Sequence, residues 1–242
     1  MIKKKDRVVV AGIGWVTQER YGSVMQKLHK DYKDKVSLHL QLRDESVFLQ
    51  PVKNFGRFDE ISKKACSVAA LALCDAGIPY SKDRKEDIGL IGTNTAGSLL
   101  SNLSYFKDYV ENGRTLARGN LFTYTLPSSP LAEAAINCGC QGPLLYINFS
   151  SPKKQMPLLL RYAESMICRK ETPAMLAINA DEKEGVCFLL IQEGDALDKK
   201  ICALEDILAI TEKVTILEDM VNEFESCIIT EESHLKNDQR NA

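Results

Sequence analysis

The sequence predicts a layered α/β fold, and three observations carry that expectation. Strand-like and helix-like patterns alternate along the chain, as in folds that sandwich a sheet between helices. One helical stretch, residues 58–76, is so rich in Ala, Ser and Cys that its neighbours can approach its backbone closely from several sides. Residues 144–149 form a nearly continuous apolar run, of the kind found in strands covered on both faces.

Taken in order, residues 7–11 read as a first strand running into Gly12-Ile13-Gly14, a tight glycine turn. The polar stretch 21–30 suggests a short helix, and alternation at Val36, Leu38, Leu40 and Leu42 a second strand. Phe58, Ile61, Ala65, Val68, Ala69, Ala72 and Ala76 keep helical spacing, with Asp59 near the start, Gly77 just past the end and Pro79 beyond. A strand over 87–92 precedes a helix marked by Leu99, Leu100, Leu103, Phe106 and Val110, ending near Gly113. Ser129-Pro130 opens another helix that runs to Gly139, with proline in its tolerated first turn.

After the apolar strand, Met156, Leu159, Leu160, Ala163, Met166 and Ile167 predict a helix. Pro157 either kinks a helix begun at Pro152 or means that regular helix starts only near Met156. Strands follow at 174–179, 186–192 and about 201–207. Beyond Thr211, the apolar positions Val214, Leu217, Met220, Val221 and Phe224 predict one amphipathic helix, and 231–242 is polar enough to fray. The expected organisation is a body over 1–210 and a C-terminal helix with its tail over 211–242.

Composition removes several function classes. Lys and Arg total 31 against 33 Asp and Glu, a formal charge of -2, so no global basic field exists to hold nucleic acid or an anionic bilayer. The longest apolar run, 8–16, falls far short of the ~20 residues a spanning helix needs. The basic start lacks a convincing cleavage site, and the eight cysteines lie mostly in apolar segments, as reduced thiols do, so a cytoplasmic location is expected.

Few motifs carry chemistry. Gly12-Ile13-Gly14 follows a strand, but the third glycine of a dinucleotide fingerprint would fall on Thr17, so nucleotide binding is not expected. Cys138-Gly139-Cys140 lacks a second Cys or His pair at ligand spacing, so neither a metal nor another cofactor is expected. Ser151 is the most interesting hydroxyl, placed between a strand and a helix where backbone N–H groups and the helix dipole can stabilise an anion. A serine nucleophile needs a base, and His29, His39 and His234 offer no persuasive one. The plainer reading is that Ser150 or Ser151 caps the helix.

In order, these pieces resemble the N-terminal half of a β-ketoacyl synthase, the condensing enzyme of fatty acid and polyketide assembly. Residues 8–17 are similar to the family's opening strand and turn, Arg57-Phe58-Asp59 with the helix to Gly77-Ile78 to its first long buried helix, and 88–93 to the strand that follows. Residues 120–128 resemble the segment before the interface helix, and Gly142-Pro143 the pair before the nucleophile strand. Counted from Gly142-Pro143, the family's Thr-Ala-Cys falls on Phe149-Ser150-Ser151, so the resemblance puts Ser151 where the nucleophilic cysteine stands. Residues 175–182 look like the strand after the nucleophile helix, yet 185–190 follow almost at once and a long family segment is missing between them. The family's second half, with two histidines and a lysine, has no counterpart after Ile207.

The resemblance implies a thiolase-like fold limited to its N-terminal half, α-β-α layers around a mixed five-stranded sheet, plus the C-terminal amphipathic helix. It also implies a non-catalytic subunit of the chain-length-factor kind, as in aryl polyene systems. The implied partner is a full-length ketosynthase, or a second copy, with an acyl carrier protein reached through the complex. The interface and acyl-tunnel residues it points to are Leu103, Tyr105, Phe106, Tyr109, Phe122, Tyr124, Leu126 and Phe149. A sheet whose second face is normally buried by a duplicate half would leave roughly several hundred Å² of apolar surface wet, enough to favour dimerisation. Rival readings are a Ser151-dependent acyltransferase or hydrolase and a homodimeric scaffold.

Overall fold

The computed structural model describes residues 7–32, 47–112, 118–151, 154–196 and 200–229. Its strands are β1 (Val8–Val16), β2 (Arg20–Ser23), β3 (Leu28–Asp31), β4 (Ile88–Thr93), β5 (Leu144–Tyr146), β6 (Ala174–Ala180), β7 (Gly185–Gln192) and β8 (Cys202–Ala203). Its helices are α1 (Glu60–Asp75), α2 (Leu99–Glu111), α3 (Gly119–Thr123), α4 (Ser129–Cys138), α5 (Gln155–Cys168), α6 (Leu204–Lys213) and α7 (Leu217–Ser226).

One mixed sheet organises the chain, in the order β3-β2-β1-β7-β6-β4-β5, with β8 pairing β1 to make eight strands. The sheet has eight strands where five were expected: β1 and β6 run antiparallel to β7, β4 lies parallel to both β6 and β5, and the hairpin β2-β3 and the short β8 extend it beside β1. Helices α1 and α4 cover one face, and α5, α6 and α7 the other, so the layering is α-β-α.

Close approach between α1 and the sheet explains the two glycines of the first strand. Gly12 and Gly14 lie inside β1, which runs to Val16, and are not the turn that the sequence suggests. A Cβ on Gly12 would stand 2.2 Å from the Ala72 carbonyl oxygen, and one on Gly14 2.5 Å from the Val68 carbonyl oxygen. Glycine on the strand facing Val68 and Ala72 on the helix brings the two backbones nearly into contact, which buries α1 almost along its whole length. Asp59 caps α1 by accepting from the Ser62 N–H at 2.8 Å, and Gly77 leaves it with φ +66°.

At the far end of α1, the buried Asp75 carboxylate accepts N–H groups of Ile13, Met25 and Gln26 at 2.8, 3.0 and 2.9 Å. These bonds fasten a hairpin, β2-β3, where the polar stretch suggested a helix. Lys27, at φ 51°, makes the tight reversal that local polarity did not reveal.

Three further expectations change near the C-terminal side. The strand expected over 201–207 is only the two residues of β8, and α6 begins at Leu204. Glu205 and Asp206 suit the first turn of a helix, and Leu204, Ile207, Leu208 and Thr211 bury one side of it. The amphipathic helix is α7, a second one, whose Leu217, Met220, Val221 and Phe224 enter the same core as α5 and α6. Phe224 meets Phe188 of β7 edge to face at 5.6 Å. The Arg20–Glu218 ion pair (3.1 Å) and a hydrogen bond between His29 Nε2 and Glu225 (2.5 Å) tie α7 to the hairpin. Since α6 crosses the 210/211 boundary, the sheet's second face is closed by α5, α6 and α7 rather than left wet.

The strand expected over 144–149 is short and lies at the open edge of the sheet, with Leu144 and Leu145 exposed. Its apolar run therefore marks a surface and not a covered strand. The alternation at Val36–Leu42 and the tail 231–242 lie outside the described residues.

Candidate functional site

The carboxyl ends of the parallel strands β4, β5 and β6 meet the start of α5, the place where open α/β sheets present ligand sites. Asn94, just past β4, accepts the Tyr146 hydroxyl on Oδ1 at 3.1 Å, and its carbonyl accepts Gln155 Nε2 at 3.0 Å. Asp181, just past β6, accepts the Thr95 N–H at 2.9 Å and the Thr95 hydroxyl at 3.0 Å. The β6-β7 connection is tight, with the Asp181 N–H donating to the Glu184 carbonyl at 2.9 Å. These polar residues escaped the sequence reading; the signal available was their position directly after strands.

Beside this network lies a cavity of about 370 Å³, walled by α5, the β6-β7 turn and the α6-α7 corner. Asp181 and Glu184 stand among its lining residues, and among the described residues no Lys, Arg or His does. Partial burial, then the Asp181 and Glu218 charges, push the Glu184 carboxyl above the usual carboxylate range.

Ser151 is exposed, and its carbonyl accepts the Lys154 N–H at 3.1 Å. Helix α5 starts only at Gln155, with Lys154 at its cap position and no side-chain cap, so neither Ser150 nor Ser151 caps it. Pro157 falls in the first turn, where its missing N–H costs nothing, which settles its two readings; Pro152 lies outside the described residues. His29 cannot act as a base for Ser151: it sits on β3 at one edge of the sheet, and Ser151 follows β5 at the other.

Burial pushes the Cys66, Cys138 and Cys187 thiols well up and Cys140 up to about 12, the behaviour of packing residues. Among the described residues no group of His, Cys, Asp and Glu could hold a metal ion.

The eight expected interface residues do not form one site. Leu103 and Phe106 of α2, Phe122 of α3 and Leu126 are exposed, Phe106 to 62%. Tyr105 and Tyr109 are half-buried beside them, and the Tyr105 ring lies 5.6 Å from that of Phe122. Tyr124 is buried beneath this surface, its hydroxyl donating to Glu133 at 3.2 Å, and burial followed by the Glu133 charge raises that hydroxyl's pKa. Tyr124 also lines a cavity of about 220 Å³ between α1, α2 and α3. Phe149 is elsewhere, packed against the α5 side of the core with its ring 6.3 Å from Tyr162.

Helices α2 and α3 bury almost nothing. Asp108 is the one buried residue of α2, and α3 has none. Asp108 fixes the pair internally, accepting from the Arg118 backbone N–H at 3.2 Å and from Arg118 Nε at 2.8 Å. Asp59 ties α2 to α1, accepting the Ser101 hydroxyl at 2.7 Å.

Mixed strand order, the glycine-lined helix and the polar junction at α5 together match a known architecture. The fold is that of the β-ketoacyl synthases. Similar solved structures include a β-ketoacyl synthase from Burkholderia phymatum, at 17% identity and a TM-score of 0.55 over 78% of this chain and 60% of that one. The ishigamide ketosynthase/chain length factor is similar at 14% identity and a TM-score of 0.54, over 80% and 64% of the two chains. A ketosynthase solved with its type II polyketide synthase acyl-carrier protein, and bound to the hexaketide, aligns at 13% identity and a TM-score of 0.53, over 78% and 59%. This chain thus spans about 60% of the length of the ketosynthase it aligns to, in the thiolase-like arrangement. No protein-family model and no curated protein matches the sequence. Among the described residues no helix is long and apolar enough to cross a membrane.

Proposed function

We propose that the chain is a non-catalytic, chain-length-factor-like ketosynthase subunit that pairs with a full-length β-ketoacyl synthase in cytoplasmic fatty acid or polyketide synthesis, of the aryl polyene kind. The observation that carries the reading is the outward apolar face of α2 and α3, together with the exposed leucines of the edge strand β5. Two amphipathic helices with almost no buried residue of their own are expensive to leave in water, and a partner surface removes that cost. Support for lost catalysis comes from Ser151, an exposed hydroxyl at the opposite edge of the sheet from His29, the one histidine among the described residues, in the place where the resemblance puts a cysteine. The partner supplies the reactive groups and binds the acyl carrier protein, and the α2-α3 face adds bulk that shapes the acyl tunnel.

Co-expression with a full-length ketosynthase tests this. The two chains are expected to co-purify, and Leu103→Asp with Phe106→Asp to abolish co-purification while leaving the unfolding temperature of the isolated chain within a few degrees, since both side chains are exposed. In the intact complex Phe106→Ala is expected to shift the product length distribution. A stable homodimer indifferent to any ketosynthase would favour the scaffold reading. An acyl adduct by intact mass, lost in Ser151→Ala, would overturn the non-catalytic one.

A further inference from the structure

Two thiols from opposite ends of the helical cover converge on the C-terminus of α7. Cys202 belongs to β8, just before α6, and Cys227 follows the last residue of α7, so the stretch between them is the helix pair that closes the second face of the sheet. The two ends are already joined, because Ile201 and Ile229 exchange backbone hydrogen bonds at 3.2 and 2.7 Å in an antiparallel bridge. The Phe224 carbonyl links the cysteines themselves, accepting the Cys227 N–H at 3.0 Å and the Cys202 thiol at 3.8 Å. The Cys227 thiol lies on the preceding carbonyl, that of Glu223, at 3.5 Å. Both sulfurs therefore sit over one turn of helix, whose end carbonyls point the same way.

Access and hydrogen bonding both permit these sulfurs to change state. All eight cysteines are free, and Cys66, Cys138 and Cys187 are buried outright, whereas this pair has one half-buried member, Cys227, beside the buried Cys202. Neither carbonyl depends on a thiol proton: Glu223 also accepts the Ser226 hydroxyl at 2.6 Å, and Phe224 keeps the Cys227 N–H. Loss of both S–H groups thus leaves no acceptor bare at the end of α7.

We propose that Cys202 and Cys227 form a reversible disulfide when a disulfide oxidant is present, closing a covalent ring around α6 and α7 that is separate from the α2-α3 face and independent of pairing. With glutathione disulfide, the Cys227 thiolate attacks one glutathione sulfur, forms a mixed disulfide and releases one glutathione thiolate. The Cys202 thiolate then attacks the Cys227 sulfur and releases the second. Two cysteine sulfurs are oxidised, two glutathione sulfurs are reduced, and the cysteine protons pass to the released thiolates. Burial, opposed by the Ser226 hydroxyl, raises the Cys227 thiol, and burial followed by the nearby Cys227 pushes Cys202 up to about 12, so thiolate is scarce and the ring closes slowly.

Incubation of the full chain with excess glutathione disulfide, followed by peptide mapping without reduction and by thermal unfolding, tests this. A peptide pair cross-linked through Cys202 and Cys227 is expected, and the unfolding temperature is expected to rise by roughly 5–10 °C, the effect of closing a loop of this length. Dithiothreitol is expected to reverse both. Cys227→Ser, whose hydroxyl can still reach the Glu223 carbonyl, is expected to keep the reduced unfolding temperature within a few degrees and to lose both responses. Cys168→Ser, at an exposed cysteine of α5, is expected to retain both. Absence of the cross-link from the native chain, with or without glutathione held at Cys227, a cross-link that forms only in denaturant, or an unfolding temperature unmoved by oxidation would overturn the proposal.

Discussion

At the scale of single residues, Asp75 shows how much one buried side chain can organise. Its carboxylate takes three backbone N–H groups from two separate segments, β1 and the reversal between β2 and β3, and thereby decides that this stretch forms a hairpin. Asp75→Ala leaves those donors dry and is expected to cost about 3 kcal/mol in urea unfolding, with Asp75→Asn recovering only part, because its amide presents N–H groups to N–H groups. An Asp at the end of an Ala-rich helix reads in sequence as ordinary helix-end punctuation. Its real partners lie 49 to 62 positions away, a separation that no local pattern encodes. The place of Ser151 outside the helix depended on Lys154 and Pro157, which single-residue preferences leave ambiguous.

Among the elements, α1 is the best read. Asp59, the Ala-Ser-Cys pattern and Gly77 mark its start, its covered body and its end, and the backbone contact with β1 follows from glycines facing small residues. Gly12→Ala is accordingly expected to cost about 3 kcal/mol or to prevent folding, since neither the Ala72 carbonyl nor the strand can withdraw. Gly119→Ala, where an added Cβ meets nothing within 4 Å, is expected to leave the unfolding midpoint nearly unchanged. Helix α6 was missed because Ile201-Cys202-Ala203-Leu204-Glu205-Asp206-Ile207 suits a strand in its first half and a helix in its second. The stripe of α2 was found, but Leu99, Leu103, Phe106 and Val110 have the spacing of any core-facing helix. Periodicity locates an apolar face and does not say what covers it.

For the molecule as a whole, α6 and α7 decide whether the second face of the sheet needs outside help. Phe224 is fully buried against Phe188, so Phe224→Ala is expected to cost about 3–5 kcal/mol in thermal or denaturant unfolding. A loss near zero would mean that α7 is an appendage, as a boundary at 210/211 suggests. The layer order was legible because helix and strand patterns alternate, but the coverage of each face depends on tertiary partners that pattern alone does not name. The two ends of the sheet also differ: β3 carries a clasp to α7 through His29 and Glu225, while β5 ends in exposed leucines.

The helical cover over the second face has a consequence for the order of assembly. A chain that closes its own core does not wait for a companion in order to fold, so the proposed pairing is an encounter between two finished bodies. Such rigid docking proceeds at roughly 10⁵–10⁷ M⁻¹s⁻¹ and carries no folding step, so supply of the two proteins, and not their synthesis side by side, governs how much complex accumulates.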